Sequence, residues 1–166
     1  MISTMATFKD IENWLTDGGF KVITDDEEIK DYKEKTSPSA QLLKVDVPNA
    51  ELSFRVHYVE GPEIIDIRSA RYFGERDQSA FSKLPHIMQE KFYRQIKEIV
   101  YPFGLNVMVF AKEYQVHFAK TIFLENLSKQ YFVDTVFDFI HALDLVSIPY
   151  EDLSGSESVR HPRDMT

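Results

Sequence analysis

The chain has 166 residues and carries 19 Lys+Arg against 27 Asp+Glu, a formal charge of −8 at pH 7. With 43% hydrophobic and 28% charged residues it reads as one globular domain rather than a disordered segment. No apolar run approaches the ~20 residues of a membrane helix. The opening MISTMATFKD has no basic start followed by an apolar stretch. Cysteine is absent, which excludes disulfides, thiol catalysis and Cys-based zinc sites. The expectation is a cytoplasmic protein with no signal peptide and no membrane contact.

Thr7 can cap a first helix, with Asp10 placing negative charge in its first turn. Phe8, Ile11 and Leu15 recur at helical spacing, and Gly18-Gly19 ends the run. Phe20–Ile23 reads as a short strand. The charged stretch over 24–37 reads as a surface loop with at most a helical turn. Three alternating segments follow: 41–47 around Leu43, Val45 and Val47; 52–58 around Leu52, Phe54, Val56 and Tyr58; and 63–69 around Ile65 and Ile67. Short turns at Pro48-Asn49 and Gly61-Pro62 join them, the signature of an antiparallel meander with one wet face.

Residues 74–82 read as a connection to a long central helix capped by Ser82, with Leu84, Met88, Phe92, Gln95 and Ile99 on its apolar side. Two strands, 105–111 and 114–124, turn at Lys112-Glu113. Ser128 caps a last helix whose stripe is Phe132, Val136, Phe139, Leu143 and Val146, and Pro149 is expected to stop it. The sum is an α+β fold in α-β-β-β-α-β-β-α order, with the short strand Phe20–Ile23 added after the first helix. An antiparallel sheet is flanked by helices in a single domain over 1–148, with a polar, flexible tail over 149–166.

The net negative charge opposes a polyanion, and the basic groups Arg68/Arg71/Arg76 and Arg160/Arg163 are diluted by nearby acids, so nucleic acid is not an expected partner. Asp134, Asp138 and His141 stand at i, i+4 and i+7, but opposite the apolar stripe, where solvent is expected. His86 and Glu90 form an i, i+4 pair on a polar face. The run Asp25–Glu28 lacks the calcium-loop spacing. No phosphate-cradling, dinucleotide or nucleophile-elbow motif occurs. No metal and no cofactor are therefore expected. Two sets of residues remain. Arg55, His57 and Arg68 project from the polar face of the meander and are candidates for binding an anion or carboxylate, with a solvated sheet face as the plainer reading. Tyr93, Val100, Met108 and Phe110 fall outside the main apolar faces and are candidates for an interface.

The segments KDIENWLTDGGFKV, AELSFRVHYVEGP and FVDTVFDFIHALDLV, in this element order, resemble the type III secretion chaperone-like fold. That fold also occurs in YbjN-like proteins and in uncharacterised archaeal families, one of which the segments resemble in particular. The resemblance spans about residues 5–148. It implies a small, acidic, non-enzymatic homodimer that holds a segment of a partner protein, with the central helix and a neighbouring strand as the dimer contact. The alternative is a small-molecule-binding domain or an enzyme using polar residues on the sheet face.

Overall fold

Thr7 starts the first helix, α1 (Phe8–Asp17), through a reciprocal capping box: the Asp10 backbone N–H donates to the Thr7 hydroxyl and the Thr7 N–H to the Asp10 carboxylate. Gly19 closes it at φ +89°, a conformation that suits glycine. The computed structural model describes residues 5–35 and 40–158. The further elements are β1 (Lys21–Ile23), α2 (Glu27–Lys35), β2 (Ala40–Val47), β3 (Leu52–Val59), β4 (Ile64–Tyr72), α3 (Glu75–Ser82), α4 (His86–Val100), β5 (Asn106–Phe110), β6 (Gln115–Phe123) and α5 (Lys129–Ser158). One six-stranded antiparallel sheet runs in the order β1-β2-β3-β4-β6-β5, with helices flanking it.

The described chain divides into two units, the first built from residues up to Ser69 with Ala119–Phe137, the second from Ala70–Phe118 with the residues from Asp138 onward. In the first unit, register pairs Leu43 with Val56 and Val56 with Ile67, and Val45 with Phe54. This puts Leu43, Val45, Phe54, Val56, Ile65 and Ile67 on one face, all fully buried. Phe20 meets Phe54 and Phe137, Trp14 meets Phe132, and Phe8 stands edge-on to Tyr58. The expected two-sided meander is present. Its polar side, expected to be wet, is covered in part, because residues expected to form a loop fold as α2 and pack on β2, while Arg68 on β4 stays exposed.

In the second unit Phe73, Phe81, Phe92 and Tyr150 form a buried aromatic cluster with ring centroids 4.9–5.5 Å apart. Three expectations are corrected here. Residues 75–82 form the separate helix α3, so Ser82 ends one helix rather than starting the next, and Pro85 stands at the N-cap of α4. The buried side of α4 is Phe92, Ile96 and Val100, turned by roughly 80° on the helical wheel from the expected one. Met88 is exposed. Finally, Pro149 does not end α5. A proline there costs about 3 kcal/mol by removing the hydrogen bond to the carbonyl four residues earlier, and burying Tyr150 and Leu153 beyond it offsets that cost. The expected flexible tail thus begins as helix, and its last residues, 159–166, lie outside the described residues.

Candidate functional site

Strand register assembles the polar sheet face. Lys44 lies opposite Arg55, and Arg55 opposite Arg68; in the next row Leu42 lies opposite His57, and His57 opposite Asp66. Three cations therefore stand side by side across β2, β3 and β4. Like charges placed directly opposite one another destabilise a sheet unless anions intervene.

The anions come chiefly from α2. Asp26 accepts the Ile29 backbone N–H with Oδ1 at 2.9 Å, capping the helix, and accepts Lys44 Nζ with Oδ2 at 2.6 Å. Glu28 takes Arg55 in a fork, from Nε at 2.8 Å and Nη2 at 3.1 Å, and lies 3.0 Å from Lys44 Nζ. The hydrogen bond from Lys44 and the Ile29 N–H hold the Asp26 carboxyl below its ordinary pKa. The Arg55 fork does the same for Glu28, and both carboxylates raise Lys44. Arg68 is exposed and donates to Asp66 at 2.9 Å; Thr121 on β6 donates to the other Asp66 oxygen at 2.6 Å.

His57 is half-buried, with the Tyr32 ring of α2 edge-on at 5.2 Å. Loss of water, and then the Arg68 charge, push its pKa down to about 4. The imidazole is neutral at pH 7. Burial pushes the Tyr32 phenol up.

Arg55, His57 and Arg68 thus share one face, as the sequence indicates, but α2 occupies it. Asp26, Glu28, Lys44, Tyr32 and Asp66 join this face although periodicity alone does not single them out. The parity of Lys44 with Leu42, and the cap spacing Asp26-x-x-Ile29, are the signals that point to them.

The interface candidates separate. Val100 is fully buried in the core of its unit, so it presents no surface, which corrects that expectation. Tyr93 is half-buried, its ring 5.4 Å from Phe81 and 5.5 Å from Phe92. Its hydroxyl is buried and has no hydrogen-bond partner among the described residues. Met108 and Phe110 are 51% and 40% exposed on β5, a terminal strand of the sheet. Phe110 stands edge-on to His117 at 4.8 Å, and His117 hydrogen-bonds Gln115. His86 Nε2 and Glu90 Oε1 lie 3.1 Å apart on an exposed face. Asp134, Asp138 and His141 are each exposed. Among the described residues no three of His, Asp and Glu converge on a point able to hold a metal ion, and no helix is long and apolar enough to cross a membrane.

Residues 8–147 match a family described as "Uncharacterized conserved protein (DUF2299)". The chain belongs to the DUF2299 family. A crystal structure of an uncharacterized protein from Methanothermobacter thermautotrophicus is similar, with a TM-score of 0.68 over 87% of this chain and 97% of that one. At 18% identity the similarity is one of fold. Comparison with curated protein sequences gives no match.

Proposed function

We propose that this member of the DUF2299 family is a non-enzymatic, chaperone-like protein-interaction module that works as a homodimer through β5. The observation that carries the reading is the composition of this sheet edge. NVMVF carries no charge in a chain of net −8, and it lacks the lysine, proline or inward charge with which natural edge strands block pairing. Exposure along it alternates, with Asn106, Met108 and Phe110 exposed and Val107 and Val109 half-buried.

That pattern is self-complementary. An antiparallel pair of β5 strands around a two-fold axis puts Met108 opposite its own copy, Asn106 opposite Phe110 and Val107 opposite Val109. Exposed residues then meet exposed ones, and half-buried meet half-buried. Five residues per strand form a small contact, below the ~1,200 Å² of a standard stable interface, so the association is weak and concentration-dependent. An enzyme working from the polar sheet face is the less supported reading, because α2 already engages Lys44, Arg55 and His57.

Light scattering across a concentration series tests this. The expected result is a mass rising from monomer toward dimer, with Met108→Lys remaining monomeric at an unchanged circular dichroism spectrum, since the two-fold doubles every charge added at its axis. A monomer at all concentrations, or a dimer indifferent to Met108→Lys and Phe110→Ser, overturns the proposal.

A further inference from the structure

The row Lys44–Arg55–Arg68 has three cations on neighbouring strands spaced about 4.8 Å apart, and from the sheet Asp66 pairs with Arg68. The other two carboxylates, Asp26 and Glu28, are brought by α2. We propose that this row is a binding site for a small polyphosphate-like anion, and that α2 is a strap whose Asp26 and Glu28 carboxylates occupy the site until such an anion displaces them.

Four features support the assignment. First, the grip of Arg55 on Glu28 uses Nε and Nη2 together, the fork that fits a phosphate as well as it fits a carboxylate. Second, Arg68 is 52% exposed and engages Asp66 through Nη2, which leaves further guanidinium donors for an anion at the row. An anion with linked phosphoryl groups reaches Arg55 and Arg68 at once, whereas no α2 carboxylate contacts Arg68 in the described structure.

Third, α2 is weakly anchored. In nine residues it buries only Ile29 fully and half-buries Tyr32; its remaining side chains are exposed. A helix this short does not hold in water by itself, so leaving the sheet and melting are one event. Glu28, which holds both Lys44 and Arg55, is the most solvent-open member of these pairs at 48% exposure, so a ligand carrying more negative charge can reach the cations at its carboxylate first. Fourth, the displaced strap would uncover His57, which lies one row along under the Tyr32 ring and can donate a hydrogen bond from a ring nitrogen. The proposal stands on the first unit alone and is independent of the β5 dimer.

The strap reduces the apparent affinity of the row by the fraction of molecules in which it is released. Removing its charges should therefore tighten binding. The experiment is calorimetric titration of inorganic tripolyphosphate into the full chain at low salt, with sodium sulfate at matched ionic strength as control. Asp26→Asn/Glu28→Gln, which keeps a capping oxygen at position 26, should bind at least tenfold more tightly than the parent. Adding Arg55→Gln should abolish that gain. Equal affinity in the parent and the double variant, or a gain that survives Arg55→Gln, overturns the proposal. Hydrogen exchange on the unaltered chain gives a readout independent of how the variants fold. Amides of residues 27–35 should exchange at least tenfold faster with tripolyphosphate present, and exchange unchanged by tripolyphosphate, or matched by sulfate, overturns it.

Discussion

Replacing Tyr93 by phenylalanine removes one oxygen and leaves the ring where it packs, between Phe81 and Phe92 on the inner part of α4. That hydroxyl is buried without a hydrogen-bond partner among the described residues. Burial, and then the proximity of Tyr114, raise its pKa. In the unfolded chain the same hydroxyl bonds water. The folded state therefore bears the desolvation of a polar group and regains nothing, a cost of about 1–3 kcal/mol.

Tyr93→Phe should accordingly stabilise the protein by about 1–2 kcal/mol, since part of the ring still faces solvent. For a chain of this size that raises the melting temperature by roughly 2–8 °C. Urea unfolding followed by far-ultraviolet circular dichroism measures it as a higher midpoint at unchanged slope. Tyr58 supplies the matched control. Its buried hydroxyl donates to the Ala6 carbonyl at 3.0 Å, so Tyr58→Phe should cost about 1 kcal/mol. If Tyr93→Phe instead destabilises by more than about 0.5 kcal/mol, the hydroxyl has a partner in solution and the reasoning fails.

Two further outcomes follow from backbone strain and from His57. Because the His57 pKa falls from 6.5 to about 4 on folding, the unfolded chain binds more protons between those values. The contribution of the neutral ring is complete above pH 6.5 and is lost as pH falls toward 4, by about 1–2 kcal/mol once solvent screening is allowed for. Stability measured from pH 6.5 to 5 should decline less in His57→Gln than in the parent; equal slopes would show that His57 is not desolvated. Asp26 and Glu28 titrate lower and add their own loss at more acidic pH. Glu63 sits at φ +58° with its backbone bonded to Glu60 and Leu124. Asparagine tolerates that conformation better, so Glu63→Asn should gain about 0.5–1 kcal/mol, read as a higher thermal midpoint. A lower midpoint would mean the Glu63 side chain outweighs the strain.

Much of the fold could be read from the residues because most elements contrast sharply between two sides. Alternation in β3 and β4 places Phe54, Val56, Ile65 and Ile67 inward, and the spacing in α5 from Phe132 to Val146 does the same for a helix. Thr7 and Ser128 mark helix starts by local chemistry, since a hydroxyl near an unpaired N–H needs no tertiary partner. Elements without that contrast are not legible in the same way. EEIKDYKEK buries one apolar side chain, so α2 has no stripe to detect. Its position depends on Lys44 and Arg55, which are distant in sequence.

The chain by itself determined the α+β class, the meander and its register of apolar residues, and the cation-bearing side of the sheet, because each follows from periodicity and local capping. Only the tertiary structure decided that α2 pairs with Lys44 and Arg55, that α4 turns Val100 inward toward the core of its unit, and that α5 continues through Pro149 to bury Tyr150 and Leu153. Each of these outcomes balances a local cost, whether an exposed charge, a rotated helix face or a lost backbone hydrogen bond, against burial or pairing with residues distant in sequence. A reading confined to neighbouring residues sees the cost and not the compensation.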